Sequence, residues 1–230
     1  MNNVTFSNNI ASAHCKSLST IYANKKGTKN IYNAFVGKTP LPKCCDKWDA
    51  KMGKNINWAT TFFKIQKIQE IKLKWLQIRI VHRIIGTNKY LKLMKIKNND
   101  QCDFCQTEVE SIKHLFWDCD VVQNFWNSLL QHLKAKCDHL VNVVLSDELI
   151  IFNNRDGFKS DEVFELILML GKLHIYACKF KNNPPILENF LVQLEKRFKM
   201  EKHLSFCSLS YPTFLAKWNP YLSLFQNNNN

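Results

Sequence analysis

The stretch Cys102-Asp103-Phe104-Cys105, followed after eight intervening residues by His114-Leu115-Phe116-Trp117-Asp118-Cys119, decides how this chain is read. Three thiols and one imidazole fall in it as two pairs, and zinc takes four such ligands in a tetrahedron. The two-residue gap lets backbone amides point at the sulfurs, and the longer gap lets the chain turn back. Cys102, Cys105, His114 and Cys119 are therefore the predicted ligands of one zinc ion. Four protein ligands leave no open position for water, so the predicted metal is structural. Glu110, within the loop, could act as a base only at an open site and is read as structural too.

Outward from this stretch the pattern is helical. Asp120-Val121-Val122-Gln123 fits a capping box, opening a helix with Val122, Phe125, Trp126, Leu129 and Leu133 on one face. Before the cysteines, Thr60 to Gly86 reads as one long helix ended by Gly86. It carries one apolar line through Ile68, Ile71, Trp75, Ile78, His82 and Ile85, and a second through Leu73, Leu76, Ile80 and Ile84. Two lines imply a helix packed on both sides. Lys72, Arg79 and Arg83 form a basic third line, suited to phosphates or to solvent. Asn88 to Leu91 starts a short helix leading into the cysteines.

Asn30 to Val36 reads as a short helix broken by Pro40 and Pro42, and Lys47-Trp48-Asp49 as a segment ending near Gly53. Val141 to Phe152 is helix or strand. Ser160 is placed to cap a helix with Val163, Ile167, Leu170, His174 and Cys178 inward, where Gly171 implies close packing. Pro184-Pro185 precedes a final amphipathic helix with Leu187, Phe190, Leu191, Leu194 and Phe198. The fold class is mainly α, an irregular helical domain around one small CCHC knuckle. Residues 1–30 read as poorly ordered, 31–135 as a helical region holding the zinc motif 102–119, 136–222 as a C-terminal helical region, and 223–230 as a disordered tail.

The 230 residues are 46 % hydrophobic, enough for a core, and 32 Lys and Arg against 19 Asp and Glu leave a net charge of +13. That excess points to a polyanionic partner. The polar opening residues lack the apolar run of a signal peptide, and no apolar run spans a membrane. Clustered cysteines then point to metal in a reducing, intracellular compartment, nuclear or cytoplasmic. Cys44-Cys45, Cys137 with His139, and Cys178 with His174 could suggest a thiol nucleophile, but each lacks a third member and an oxyanion loop. Six scattered glycines offer no phosphate loop. Of the aromatics Phe104, Phe116, Trp117, Phe125 and Trp126, most read as core, and Phe104 at the knuckle tip is the candidate for base stacking.

Leu91, Met94 and Ile96, then Cys102, Phe104 and Cys105, Glu110-Ser111, His114 to Trp117, Cys119 and Phe125-Trp126 resemble the zinc-binding domain of reverse transcriptases. That domain follows the polymerase in LINE-type (non-LTR) retrotransposons. Lys74 to Ile84 looks like the helix preceding the motif, and Leu170 to Tyr176 and Lys217-Trp218 are similar to the C-terminal part of such reading frames. The resemblance implies one zinc on Cys102, Cys105, His114 and Cys119, with RNA template or target DNA, and a reverse transcriptase polymerase domain, as partners. No Tyr/Phe-x-Asp-Asp motif occurs, so no two-metal carboxylate site is expected. The expectation is a non-catalytic, zinc-stabilised nucleic-acid-binding module, with Lys72, Arg79, Arg83 and Phe104 as contacts. Its alternatives are a protein-interaction module and a decayed element fragment.

Overall fold

The computed structural model describes residues 41–154 and 161–226. It is mainly helical, 69 % helix, and has no strand among the described residues, as the sequence pattern predicts. The chain divides into two compact units, residues 1–46 and 47–230. Of the first, only residues 41–46 are described, so the helix expected over Asn30 to Val36 lies outside the described residues, as does the segment 1–30. Helix α1, Lys43–Met52, ends at Gly53, whose φ of +66° suits glycine.

The long helix expected from Thr60 to Gly86 is two helices. Helix α2, Trp58–Lys67, is capped by Asn57, whose side chain accepts from the Thr60 amide. Ile68 and Glu70 then turn extended, and α3 runs Ile71–Val81. The break is invisible to periodicity because Ile65 and Leu73 both still reach the core. At the other end, Arg83 rather than Gly86 takes the left-handed conformation, with φ +61°. Its guanidinium lies 5.3 Å from the Trp48 ring centroid and donates to the Lys47 carbonyl at 3.0 Å, contacts that offset the backbone cost. Nor is α3 packed on both sides. Leu73, Leu76, Gln77 and Ile80 are buried, but Ile71 and Trp75, on the other line, are 71 % and 57 % exposed.

Helix α4, Asn88–Leu93, follows with Thr87 as its cap. Helix α5, Asp120–Lys136, buries the row expected of it, Val122, Phe125, Trp126, Leu129 and Leu133. The undecided stretch before Phe152 resolves as helix α6, Asp147–Phe152, capped by Ser146. Helix α7, Glu162–Phe180, is capped by Asp161, and the expected cap Ser160 lies outside the described residues. Gly171 meets Trp126 so closely that a Cβ there would lie 2.6 Å from the indole. Helix α8, Leu187–Cys207, buries Phe190, Leu194 and Phe198, and is not the last: α9 spans Tyr211–Trp218. Residues 223–226, expected to begin a disordered tail, instead pack. Ser223 donates to the Lys136 carbonyl, and Phe225 stacks on Phe198 with centroids 4.0 Å apart.

Two lysines on α7 escaped the sequence pattern because they sit among its apolar positions. Lys172 is fully buried and donates to Gln77 Oε1 at 2.5 Å and Asn153 Oδ1 at 2.9 Å. Burial pulls its ammonium down to about 7, opposed by the charge of Glu165. Lys179, two turns further on, pairs with Asp103 and Glu110.

Candidate metal centre

The knuckle begins eight residues after α4 ends. The Gln101 and Val109 backbones pair antiparallel, the Cys102 amide donates to the Glu108 carbonyl at 2.8 Å, and the Gln106 amide donates to the Cys102 carbonyl at 2.9 Å. Gln106 takes φ +59° to close this turn. The second pair of ligands sits on a π-helical turn, His114–Asp118, where the Cys119 amide donates five residues back to the His114 carbonyl at 3.0 Å. The wide turn brings residues five apart to one side. Ser111 Oγ accepts the His114 amide at 3.1 Å and sets the start of that turn.

These elements bring Cys102, Cys105, His114 and Cys119 together, with the ligand atoms all within 4.8 Å of one another. Cys102 Sγ and Cys119 Sγ are 3.9 Å apart, and Cys105 Sγ and His114 Nε2 are 3.4 Å apart. A tetrahedron with Zn–S bonds of about 2.3 Å has edges of about 3.8 Å, so the four atoms suit zinc. Cys102 and Cys119 are fully buried, and Cys105 is half-buried.

Local donors prepare the sulfurs. A hydrogen bond from Cys102 pulls the Cys119 thiol down; burial works against it, and the Val122 and Val121 amides pull the same way as Cys102. Cys119, not Asp120, is the N-cap of α5, so this ligand stands at the positive end of a 17-residue helix. The Gln123 side chain donates to the Trp117 carbonyl at 2.7 Å instead of closing a capping box. Burial pushes the Cys105 thiol up, but the Thr107 hydroxyl and the Thr107 and Glu108 amides outweigh it and hold the thiol below its usual value. The Cys102 thiol is pushed up, first by its bond to Cys119 and then by burial, while the Cys105 and Phe104 amides oppose this. Phe116 and Trp126 are buried, with Trp126 Nε1 donating to the Phe116 carbonyl at 2.8 Å, and Phe125 packs on Trp126, His174 and Phe190. All three are core residues, and Phe104 is half-buried at the knuckle.

Behind the ligands lies an ionic knot that motif reading did not anticipate. Glu110 is fully buried and accepts the Asn88 amide at 2.7 Å. Lys179, 3 % exposed, reaches it from α7 at 2.6 Å, and also meets Asp103 at 2.6 Å and Asn88 Oδ1 at 2.7 Å. Three ammonium protons therefore have three acceptors. Burial pushes the Asp103 carboxyl up, but bonds from Lys179 and Asn88 and the Lys179 charge bring it below its usual value. The one trace of Lys179 in the sequence is a lysine at an apolar position of a helix, in line with Lys172 and Ile175.

The remaining candidates fare differently. Lys72 and Arg79 are exposed on the outer face of α3, beside Trp75. Arg83 is not in line with them, because α3 ends at Val81 and its guanidinium is held over Trp48. Cys178 Sγ lies 3.6 Å from His174 Nε2, but burial pushes the thiol up and the imidazole down, which opposes formation of a thiolate–imidazolium pair. Cys137 is likewise buried, and burial pushes its thiol up.

Residues 28–126 match the family model described as zinc-binding in reverse transcriptase. The match contains Cys102, Cys105, His114 and Cys119 and ends within α5. No curated protein matches the chain. No helix among the described residues is long and apolar enough to cross a membrane.

Proposed function

We propose that this chain is a non-catalytic nucleic-acid-binding module, held in shape by one structural zinc and derived from a LINE-type reverse transcriptase. Four protein ligands would fill a zinc tetrahedron and leave the metal no position for substrate. The observation that carries the nucleic-acid reading is the outer face of α3. There Lys72 and Arg79 lie beside a tryptophan that is 57 % exposed, in a chain of net charge +13. Guanidinium and ammonium groups contact phosphates, and a solvent-facing indole stacks on an unpaired base, worth about 1–3 kcal/mol. Trp75 is the stronger stacking candidate than Phe104 because it is the more exposed. Its partner would be RNA template or target DNA inside the cell.

A second reading, docking of a protein such as a polymerase domain, is favoured by the exposed Ile71 in the same row. Salt separates the two. Binding of zinc-loaded protein to fluorescent single-stranded and duplex oligonucleotides is measured across salt concentrations. Phosphate contacts predict log K falling with log salt by about 0.7 per contact on single strands and about 0.9 on duplex DNA. Lys72→Ala with Arg79→Ala weakens binding and reduces that slope, and Trp75→Ala weakens single-strand binding more than duplex binding. Folded, zinc-loaded protein that binds neither form, or binds without salt dependence, rejects the nucleic-acid reading in favour of protein docking.

A further inference from the structure

We infer that Lys179 is a positioning residue of the metal centre, so that the zinc module of this chain is completed by α7, well beyond the segment that matches the family. The inference rests on the zinc reading above and extends it to a region that carries no ligand.

Asp103 sits between two ligands, Cys102 and Cys105, on the knuckle turn. Glu110 anchors the base of that turn: its backbone amide donates to the Asp100 carbonyl at 2.8 Å, and its carboxylate takes the Asn88 amide. Both carboxylates, one half-buried and one fully buried, converge on the Lys179 ammonium at 2.6 Å. Within the knot, Lys97 also reaches Asp103, at 3.3 Å, but it is 42 % exposed and its charge is screened by water. Lys179 is the buried cation. Three thiolates and one zinc would add a net negative charge beside these carboxylates, which makes the buried ammonium more necessary still. Without it, the buried Glu110 carboxylate loses its counter-charge, and the turn carrying Cys102 and Cys105 loses its support. The coupling works in both directions: zinc holds the turn, the turn holds Asp103 and Glu110 in place, and these hold the last turns of α7.

The test uses the full chain. Zinc affinity is measured by competition with a chromophoric chelator for wild type, Lys179→Met, and Lys199→Met, which removes an exposed lysine from α8. Lys179→Met is expected to bind zinc at least tenfold more weakly, the scale of lost support around metal ligands, while Lys199→Met is unchanged. Hydrogen exchange supplies a second readout that does not depend on how the variant folds. In wild type, stripping zinc should deprotect the amides near Lys179 as well as those of the knuckle. A folded Lys179→Met with wild-type zinc affinity overturns the proposal, and so does α7 protection indifferent to zinc. Wild-type protein that takes up no zinc overturns the metal reading itself, a distinct result.

Discussion

Lys172 and Lys179 lie two turns apart on one helix, and both ammonium groups are buried, yet their surroundings are opposite. Lys179 meets two carboxylates and an amide oxygen, three acceptors for three protons. Lys172 meets two amide oxygens, from Gln77 and Asn153, and Lys64 pairs with the nearby Glu165 at 2.8 Å. Two acceptors suit the two protons of a neutral amine, and burial accordingly brings Lys172 down to about 7. The same residue type thus does two jobs. Lys179 supplies charge to a polar turn, whereas Lys172 supplies length and two donors to satisfy carbonyls where α3, the end of α6 and α7 meet.

Removing the metal should separate the two regions most strongly. Cys119→Ala is expected to abolish zinc binding, forfeiting a structural-site free energy on the order of 10 kcal/mol. Metal analysis should find no zinc, circular dichroism should show lost helicity, and amide hydrogen exchange should place the loss around residues 91–133, extending to Lys179 before Lys172. Next in size is Lys179→Met, expected to cost about 3–5 kcal/mol in urea unfolding because Asp103 and Glu110 lose their buried counter-charge. Lys172→Met leaves only neutral oxygens unpaired and should cost less, about 1–3 kcal/mol. Equal losses from the two substitutions would erase the distinction.

The helix between them offers a smaller perturbation. Gly171→Ala puts a methyl group 2.6 Å from Trp126 and should destabilise by about 1–3 kcal/mol, read as a lowered thermal midpoint. Smallest per unit of pH is the titration of Lys172. Its folded value lies below the ordinary lysine value, so between about 7 and 10.5 the unfolded chain binds more protons than the folded one. Stability contributed by this group is therefore fully present above 10.5 and is lost as pH falls to about 7. The slope is at most about 1.4 kcal/mol per pH unit. Urea midpoints from pH 7 to 10 should rise more steeply for wild type than for Lys172→Met. Parallel curves would mean that Lys172 is buried as a cation.

How much was legible beforehand follows the range of the interactions. The cluster of Cys102, Cys105, His114 and Cys119 could be read from spacing because a knuckle is a local object, its closing bonds running between residues a few positions apart. The buried row of α5 was legible for the same reason, whereas at Gly171 the glycine signalled a close approach but not that Trp126 makes it. The break between α2 and α3 was not, since both sides keep apolar residues in step and only Glu70, paired with Arg197 of α8, marks the join. Arg83 reads as a helix residue until Trp48 is placed beside it. The outer row of α3 reads as core because periodicity records that a face is apolar and not whether anything covers it.

By itself, then, the sequence determined the helical class, the Cys/His cluster that could hold a metal and the basic character of the chain, all of which rest on composition or on neighbours within a few turns. Only the tertiary structure decided which lysines are buried and in what company. Asp103 and Glu110 come from the knuckle, Gln77 from α3, and Asn153 from the end of α6, all outside α7. A long cationic side chain at an apolar helix position is the same letter in both cases. Whether it enters the interior charged or neutral depends on the acceptors that distant segments bring to meet it.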